Sequence, residues 1–117
     1  MTKPRSPTDW VNHIDADDIA AAYGEATTDA YGDDEQHTGL LTVIGDQLQF
    51  PFKGRVLGQI VNIVAMEWPD VDEYGLDLIA ELDAQQHRIA LQSVNVQEPF
   101  PKGVEYLAAY LDWRRRF

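Results

Sequence analysis

The chain has 117 residues, of which 44% are hydrophobic and 10% aromatic, enough for one globular domain with a single core but not for two. Its formal net charge of −11 disfavours binding to nucleic acid or anionic membranes, because both depend on Lys and Arg contacts with phosphate groups. The absence of cysteine excludes disulfides, thiolate metal ligands and thiol nucleophiles. Neither a membrane-spanning run nor the apolar region of a signal peptide is present, which predicts a cytoplasmic location.

The first part of the chain is predicted to be a flexible leader followed by a helix. Pro4 and Pro7 mark residues 1–14 as the leader, and a single domain is expected over residues 15–117. Apolar side chains then recur at helical spacing, at Ile19, Tyr23, Ala26 and Ala30. This spacing predicts a helix that ends within residues 31–36, before the next apolar run begins.

Strand patterns dominate the middle of the chain. Apolar or β-branched residues predict strands at residues 39–44, 47–52, 54–66, 76–82 and 88–94, the third of them either continuous or interrupted at Gly58. Gly45 and Asp46 are predicted to form the turn of the first hairpin. A short C-terminal helix is indicated by Val104, Leu107, Ala108 and Leu111. The predicted fold is α+β, a small twisted β-barrel or antiparallel sheet of about five strands flanked by an N-terminal and a short C-terminal helix.

Carboxylates gather around the end of the predicted first helix. Asp33, Asp34 and Glu35 lie in its expected last turn, where the helix macrodipole disfavours negative charge, and Asp46 lies in the following turn. Calcium takes about 6 to 8 oxygen ligands in irregular geometry, so these two places can supply one site. Asp29, one helical turn before Asp33, either shares that face or is solvated. The alternative role of Asp46 is to stabilise its own turn through its side chain.

A second acidic segment occupies residues 70–81. It has acidic residues and glycine at several EF-hand loop positions, but Tyr74 replaces an expected ligand and a strand rather than a helix follows. An EF-hand is therefore not predicted. The remaining alternatives are a looser second calcium site on Asp70, Asp72 and Glu73, or a polar surface loop.

Residues 19–52 resemble the small acidic calcium-binding proteins of the CcbP type. Such proteins carry a helix ending in an acidic-acidic-Gln triplet, an apolar strand, an acidic turn and a Phe-Pro-Phe segment. The corresponding parts here are Asp34-Glu35-Gln36, residues 39–44, Asp46 and Phe50-Pro51-Phe52. The resemblance implies calcium binding without an EF-hand, through carboxylates and main-chain carbonyls in a strongly negative region. One position differs, because such proteins often have Glu where this chain has Gly45.

The sequence lacks the residue patterns of an enzyme. Its three histidines, His13, His37 and His87, are dispersed and are predicted to lie at the surface. No serine lies in a nucleophile motif, and no glycine-rich phosphate loop is present. The predicted function is that of a calcium-binding buffer or sensor in cytoplasmic signalling, with calcium ions as the ligand and no nucleic-acid or membrane partner. The alternative is an acidic interaction module that docks on a basic surface of a partner protein.

Overall fold

The computed structural model describes residues 7–68 and 75–115, which contain three α-helices, two 3-10 helices and five strands. The first of these elements is the 3-10 helix Pro7–His13. Its Trp10 is 2% exposed, and the centroid of the Trp10 ring lies 6.3 Å from that of Phe100. Burial of so large an aromatic side chain fixes the segment on the core. Trp10, which falls within the leader predicted over residues 1–14, therefore belongs to the core.

Helix α1 (Ala16–Ala26) begins at an aspartate cap. The Oδ1 atom of Asp15 accepts a hydrogen bond from the amide of Asp17 at 2.8 Å, which satisfies one of the amides left unpaired at a helix start. The helix ends at its C-cap Thr27, and Asp29 adopts a left-handed φ of 63° shortly afterwards. The predicted first helix is thus confirmed, but it ends several residues earlier than predicted.

Helix α2 (Asp33–Gln47) lies where the first strand and its turn were predicted, so both of those predictions are wrong. The β-branched residues within 39–44 favour a strand locally, but burial follows helical spacing across the whole segment. The buried residues of this helix are His37, Leu40, Leu41 and Ile44. The C-cap of helix α2 is Leu48, whose amide donates a hydrogen bond to the carbonyl of Ile44 at 2.9 Å. Asp46 therefore belongs to the last turn of a helix.

The strands are β1 (Phe52–Val56), β2 (Gln59–Glu67), β3 (Asp77–Leu82), β4 (Gln85–Ala90) and β5 (Asn95–Val96). They form one antiparallel sheet in the order β4-β3-β2-β1-β5, which confirms the α+β class and the number of strands. The sheet is open, with β4 and β5 at its edges, so it does not close into a barrel. The strand predicted at residues 47–52 is absent, since β1 begins only at Phe52. The strand predicted at residues 88–94 instead begins at Gln85 and is followed by the 3-10 helix Leu91–Ser93.

Two tight hairpins set the register of the sheet. The predicted long strand over residues 54–66 is divided into β1 and β2 by Leu57 and Gly58, with φ values of 51° and 79°. Strands β3 and β4 are joined by Asp83 and Ala84, with φ values of 53° and 63°. Two successive positive φ values are typical of the turns whose twist matches that of the strands they connect.

The helices cover one face of the sheet and form the core with it. In β3, Leu78 and Ala80 are buried on this face, whereas Ile79 on the other face is partly exposed. Helix α3 (Val104–Arg114) confirms the predicted C-terminal helix, and it packs against both α1 and α2. None of the helices in the described residues combines the length and apolar composition that a bilayer span requires.

The side-chain amide of Gln36 links the three helices through hydrogen bonds. The Oε1 atom of Gln36 in α2 accepts a hydrogen bond from the hydroxyl of Tyr23 in α1 at 3.0 Å. The same oxygen accepts a second bond from Nε1 of Trp113 in α3, also at 3.0 Å. Because Trp113 is 1% exposed, its indole N–H has this acceptor in place of water. The position of α2 relative to the other helices is therefore fixed by polar as well as apolar contacts.

Candidate metal centre

Helix α2 carries the main predicted calcium ligands at its opposite ends. Asp33, Asp34 and Glu35 lie in its first turn and Asp46 in its last. With a rise of about 1.5 Å per residue, about 18 Å of helix separates Asp34 from Asp46. A calcium ion binds its oxygen ligands at about 2.3 to 2.6 Å, so these two places cannot coordinate the same ion. The predicted convergence of Asp46 with residues 33–35 is wrong.

The three carboxylates at the start of α2 have a structural role that the sequence interpretation missed. They lie at the positive end of the macrodipole, so they stabilise the helix, contrary to the predicted penalty at a helix end. The Oε2 atom of Glu35 also accepts a hydrogen bond from the amide of Tyr31 at 2.9 Å. All three side chains belong to exposed residues. The same dipole that favours these carboxylates opposes a cation placed directly at this end.

Asp29 lies in the connection between α1 and α2. It is exposed, has a positive φ and lies outside both helices, so of its two alternatives the helical face shared with Asp33 is excluded and exposure to solvent is retained. The short connection nevertheless keeps both carboxylates at one corner of the molecule, close to the start of α2. Asp29 and Asp33 can thus contribute to the same local negative potential without a shared helix face.

Asp46 lies at the end of α2 that favours a cation. The last turn of the helix contains no basic residue, and Asp46 is exposed there. The final carbonyl groups of an α-helix lack intrahelical partners and carry the negative end of the macrodipole. A carboxylate at this end is destabilised by the dipole, and a bound cation would offset that repulsion. Carboxylate and main-chain carbonyl oxygens are together the ligands that calcium prefers.

The second predicted set, Asp70, Asp72 and Glu73, lies outside the described residues. The residues on either side of it contact α2. Gly45 faces Met66, whose sulfur lies 3.8 Å from the place where a Cβ on Gly45 would stand. Gly75 contacts the same helix about two turns closer to its start, through hydrogen bonds between its backbone and the side chain of His37. The described residues Met66 and Gly75, which flank the acidic segment in the sequence, thus both lie beside α2.

The later part of the EF-hand-like segment is a strand. Asp77 is the first residue of β3 and accepts a hydrogen bond from Nε of Arg88 at 2.6 Å, and Glu81 lies further along the same strand. An EF-hand requires a helix at this point. Within residues 7–68 and 75–115, no three His, Asp or Glu side chains form a group able to hold a metal ion.

His37 is a buried polar residue that the sequence interpretation placed at the surface. It is 6% exposed, and its Nε2 lies 3.2 Å from the carbonyl oxygen of Gly75 and 3.3 Å from the hydroxyl oxygen of Tyr110. Burial lowers the pKa of His37 below its ordinary value, and the nearby Arg114 acts in the same direction. The hydrogen bond with Gly75 and the charge of Asp34 oppose that shift. The signal for burial was its position, one helical turn before Leu40 and Leu41.

Comparisons with known proteins identify the fold. No protein-family model and no curated protein matches the sequence. Among solved structures, the crystal structure of Anabaena CcbP matches with a TM-score of 0.68 and 18% sequence identity, over 86% of this chain and 91% of that chain. The chain therefore has a CcbP-type fold, as the resemblance of residues 19–52 predicted. Identity at this level establishes the fold alone.

Proposed function

We propose that this chain binds calcium ions through carboxylate and main-chain oxygens and acts as a calcium buffer or sensor in the cytoplasm. The observation that carries the proposal is the CcbP-type fold, shared over 86% of the chain. The proposed role is that of a binding protein and not of an enzyme. Its physical basis is the net charge of −11, which raises the local concentration of divalent cations around the molecule.

The charge of the chain is concentrated on the elements next to the proposed sites. Helix α1 and helix α2 both have acidic first turns, and neither has a basic residue in its last turn. In the sequence, no Lys or Arg occurs between residues 6 and 52. The part of the chain that forms α1 and α2 therefore has no basic side chain of its own besides His37, which favours the approach of a cation even before inner-sphere contacts form.

We assign Asp46 as the anchoring ligand of the main site. Its carboxylate supplies the first oxygen, and the last carbonyls of α2 and water complete the coordination. Asp70, Asp72 and Glu73 are proposed as additional ligands, because Met66 and Gly75, the described residues that flank them in the sequence, lie beside α2. The corner formed by Asp29, Asp33, Asp34 and Glu35 is proposed as a separate and weaker site, since the helix dipole opposes a cation there.

Calorimetric titration of chelator-stripped protein with calcium tests the proposal. In about 0.1 M salt and millimolar magnesium, exposed charges are screened and sites without calcium preference are occupied. We expect saturable binding with one or two sites and a Kd below about 0.1 mM. Calcium should also raise the Tm more than magnesium does at equal ionic strength, because a ligand of the folded state stabilises it by mass action. Heat of dilution alone, with an unchanged Tm, would reject calcium binding.

Single substitutions test the assignment of Asp46. Loss of one inner-sphere carboxylate should weaken calcium binding in Asp46→Asn by at least about tenfold. Asp18→Asn is the matched control, because it removes the same charge from an exposed residue in the first turn of α1. We expect the control to weaken binding by less than about twofold, because it removes one screened charge and no proposed inner-sphere oxygen. Equal effects of the two variants would contradict the assignment of Asp46.

The alternative function, an acidic module that docks on a basic surface of a partner protein, is favoured by a different observation. Asp17, Asp18, Asp33, Asp34 and Glu35 are all exposed in the first turns of two neighbouring helices. Such a surface recognises cationic groups without a defined coordination geometry. A failed calcium titration combined with a stable, folded protein would favour this second function.

A further inference from the structure

A groove of about 770 Å³ opens between the outer edge of β4 and the tip of the hairpin that joins β1 to β2. Much of its lining is apolar, including Val56, Leu57, Ile89 and Ala90. Leu57 at the hairpin tip is 99% exposed, although it is a large hydrophobic residue. A groove of this kind next to an open sheet edge has the shape that accepts an extended chain as an added strand.

The hydrogen-bond register shows which backbone groups of β4 face the groove. The amide of Leu91 donates to the carbonyl of Leu76 at 3.0 Å, and these two positions continue the register of the β3–β4 ladder. Hydrogen-bonded and non-hydrogen-bonded pairs alternate in an antiparallel ladder, so the next pair inward is not hydrogen-bonded. The residues of β4 whose amide and carbonyl groups point away from β3 are therefore Gln86, Arg88 and Ala90.

The groove differs in charge from the chain as a whole. None of the described residues that line it is Asp or Glu, although the chain contains 20 acidic residues among 117. The charged or titratable side chains in the lining are Arg55 on β1 and His87 and Arg88 on β4. Arg88 already binds Asp77 across the neighbouring strand at 2.6 Å. Arg55 and His87 are thus the groups best placed to meet an acidic ligand from the two sides of the groove.

We propose that this groove binds an extended acidic peptide segment of a partner protein, which adds to the sheet as a strand beside β4. The main chain of the peptide pairs with the outward backbone groups of Gln86, Arg88 and Ala90. Alternate side chains of a strand point to opposite faces, so acidic side chains can reach Arg55 while apolar ones pack against the apolar lining. A second copy of β4 is a poorer occupant, because it would bring His87 and Arg88 close to the same residues of the partner.

A labelled eight-residue peptide of alternating glutamate and valine provides the probe. Its binding to the full chain is followed by fluorescence anisotropy in about 0.15 M salt with a chelator present, so that calcium plays no part. Two control peptides share its length. One has N-methyl groups on alternate residues, which removes the donors of a strand ladder, and the other has glutamine in place of glutamate. We expect saturable binding of the probe and at least about tenfold weaker binding of both controls.

Variants of the protein separate strand addition from general charge attraction. Ala90→Pro removes the outward amide, and the φ of −62° at Ala90 already suits proline, so the fold is retained. Arg55→Glu reverses the charge in the groove. Lys53→Glu is the matched control, because it makes the same charge change on the same strand outside the lining. We expect Ala90→Pro to weaken binding by about fivefold, Arg55→Glu by at least about tenfold and Lys53→Glu by less than about twofold.

Amide exchange measured by NMR locates the bound peptide. Saturation with the probe should slow exchange of the amides of Gln86, Arg88 and Ala90 relative to the free protein. Absence of saturation at millimolar peptide, undiminished binding of the N-methylated peptide, or equal losses in Arg55→Glu and Lys53→Glu would each overturn the proposal. Circular dichroism melts of the three variants establish that they are folded under the binding conditions.

Discussion

His37 connects α2 to Gly75, which lies two residues before β3, and the burial of His37 has a consequence for pH dependence. Burial lowers the pKa of His37 from its ordinary value of 6.5, so the folded protein holds a proton at this residue less tightly than the unfolded chain does. Unfolding is then accompanied by proton uptake as the pH falls below the unfolded pKa. The stability contributed by neutral His37 is therefore present above about pH 6.5 and is lost as the pH decreases.

We expect the Tm of the protein to fall between about pH 7.5 and about pH 5.5, and His37→Gln to reduce this fall, because glutamine does not titrate. His87→Gln is the control, since His87 is exposed and should leave the difference in Tm unchanged. Thermal melts followed by circular dichroism at the two pH values provide the measurement. The same fall in Tm for the wild type and His37→Gln would show that other groups determine the acid sensitivity.

Gly103 stands at the start of α3 in a position that only glycine fits. Its φ is 90°, and a Cβ there would overlap the carbonyl oxygen of Gln47 at the end of α2. We expect Gly103→Ala to lower the free energy of unfolding by at least about 3 kcal/mol, from backbone strain combined with steric overlap. Gly58→Ala shares the positive φ but has no atom within 4 Å, so it should cost only about 1 kcal/mol. Urea denaturation of the two variants tests the difference, and equal losses would exclude the overlap with Gln47.

Helix α2 shows how a residue pattern can be misinterpreted over a short window. Residues 39–44 are apolar and partly β-branched, which favours a strand when only these six positions are considered. The burial of His37, Leu40, Leu41 and Ile44 has the spacing of a helix, and α2 packs against α1 and α3 as part of the common core. The apolar surface supplied by those partners outweighs the weak local preference for strand.

The two glycines of α2 should respond to alanine in opposite directions. A Cβ on Gly39 would overlap the carbonyl oxygen of Ala26, where α2 approaches the end of α1. We expect Gly39→Ala to destabilise the protein by at least about 2 kcal/mol, because two helices must move apart. A Cβ on Gly45 would make only an ordinary contact with Met66, so Gly45→Ala should stabilise by up to about 1 kcal/mol through helix propensity. Denaturant titrations of both variants measure the signs, and stabilisation by Gly39→Ala would contradict the close helix contact.

The net charge of −11 acts on the molecule as a whole. Repulsion among exposed carboxylates opposes the compact state, and salt screens it over a distance that falls from about 30 Å at about 0.01 M to about 3 Å at about 1 M. We expect the Tm to rise across this range of sodium chloride at neutral pH. The control is the same comparison of Tm at low and high sodium chloride near pH 4.4, the isoelectric point of the sequence. The rise in Tm should largely disappear there, because the net charge is close to zero. An equal rise at both pH values would mean that the salt acts by another route.

The candidate site was only partly predictable. Composition located the acidic segments, and the exposure of residues 33–35 and of Asp46 in the structure follows from the cost of burying charge. The sequence could not show that residues 33–35 begin a helix while Asp46 ends the same helix. That distinction depends on whether the intervening apolar residues form a strand or a helix, and it decides whether the carboxylates converge or stand about 18 Å apart.

The amino-acid sequence by itself determined the α+β class, a middle of the chain rich in strands, the C-terminal helix and the strongly negative charge. Each of these follows from local periodicity, turn residues or composition, which act over a few neighbouring residues. Only the tertiary structure decided that residues 33–47 form a helix, that Trp10 and His37 are buried, and that the open edge of β4 shares a groove with Arg55. These features depend on which surfaces are available to pack against or to leave unpaired, and such surfaces are created by segments far apart in the chain.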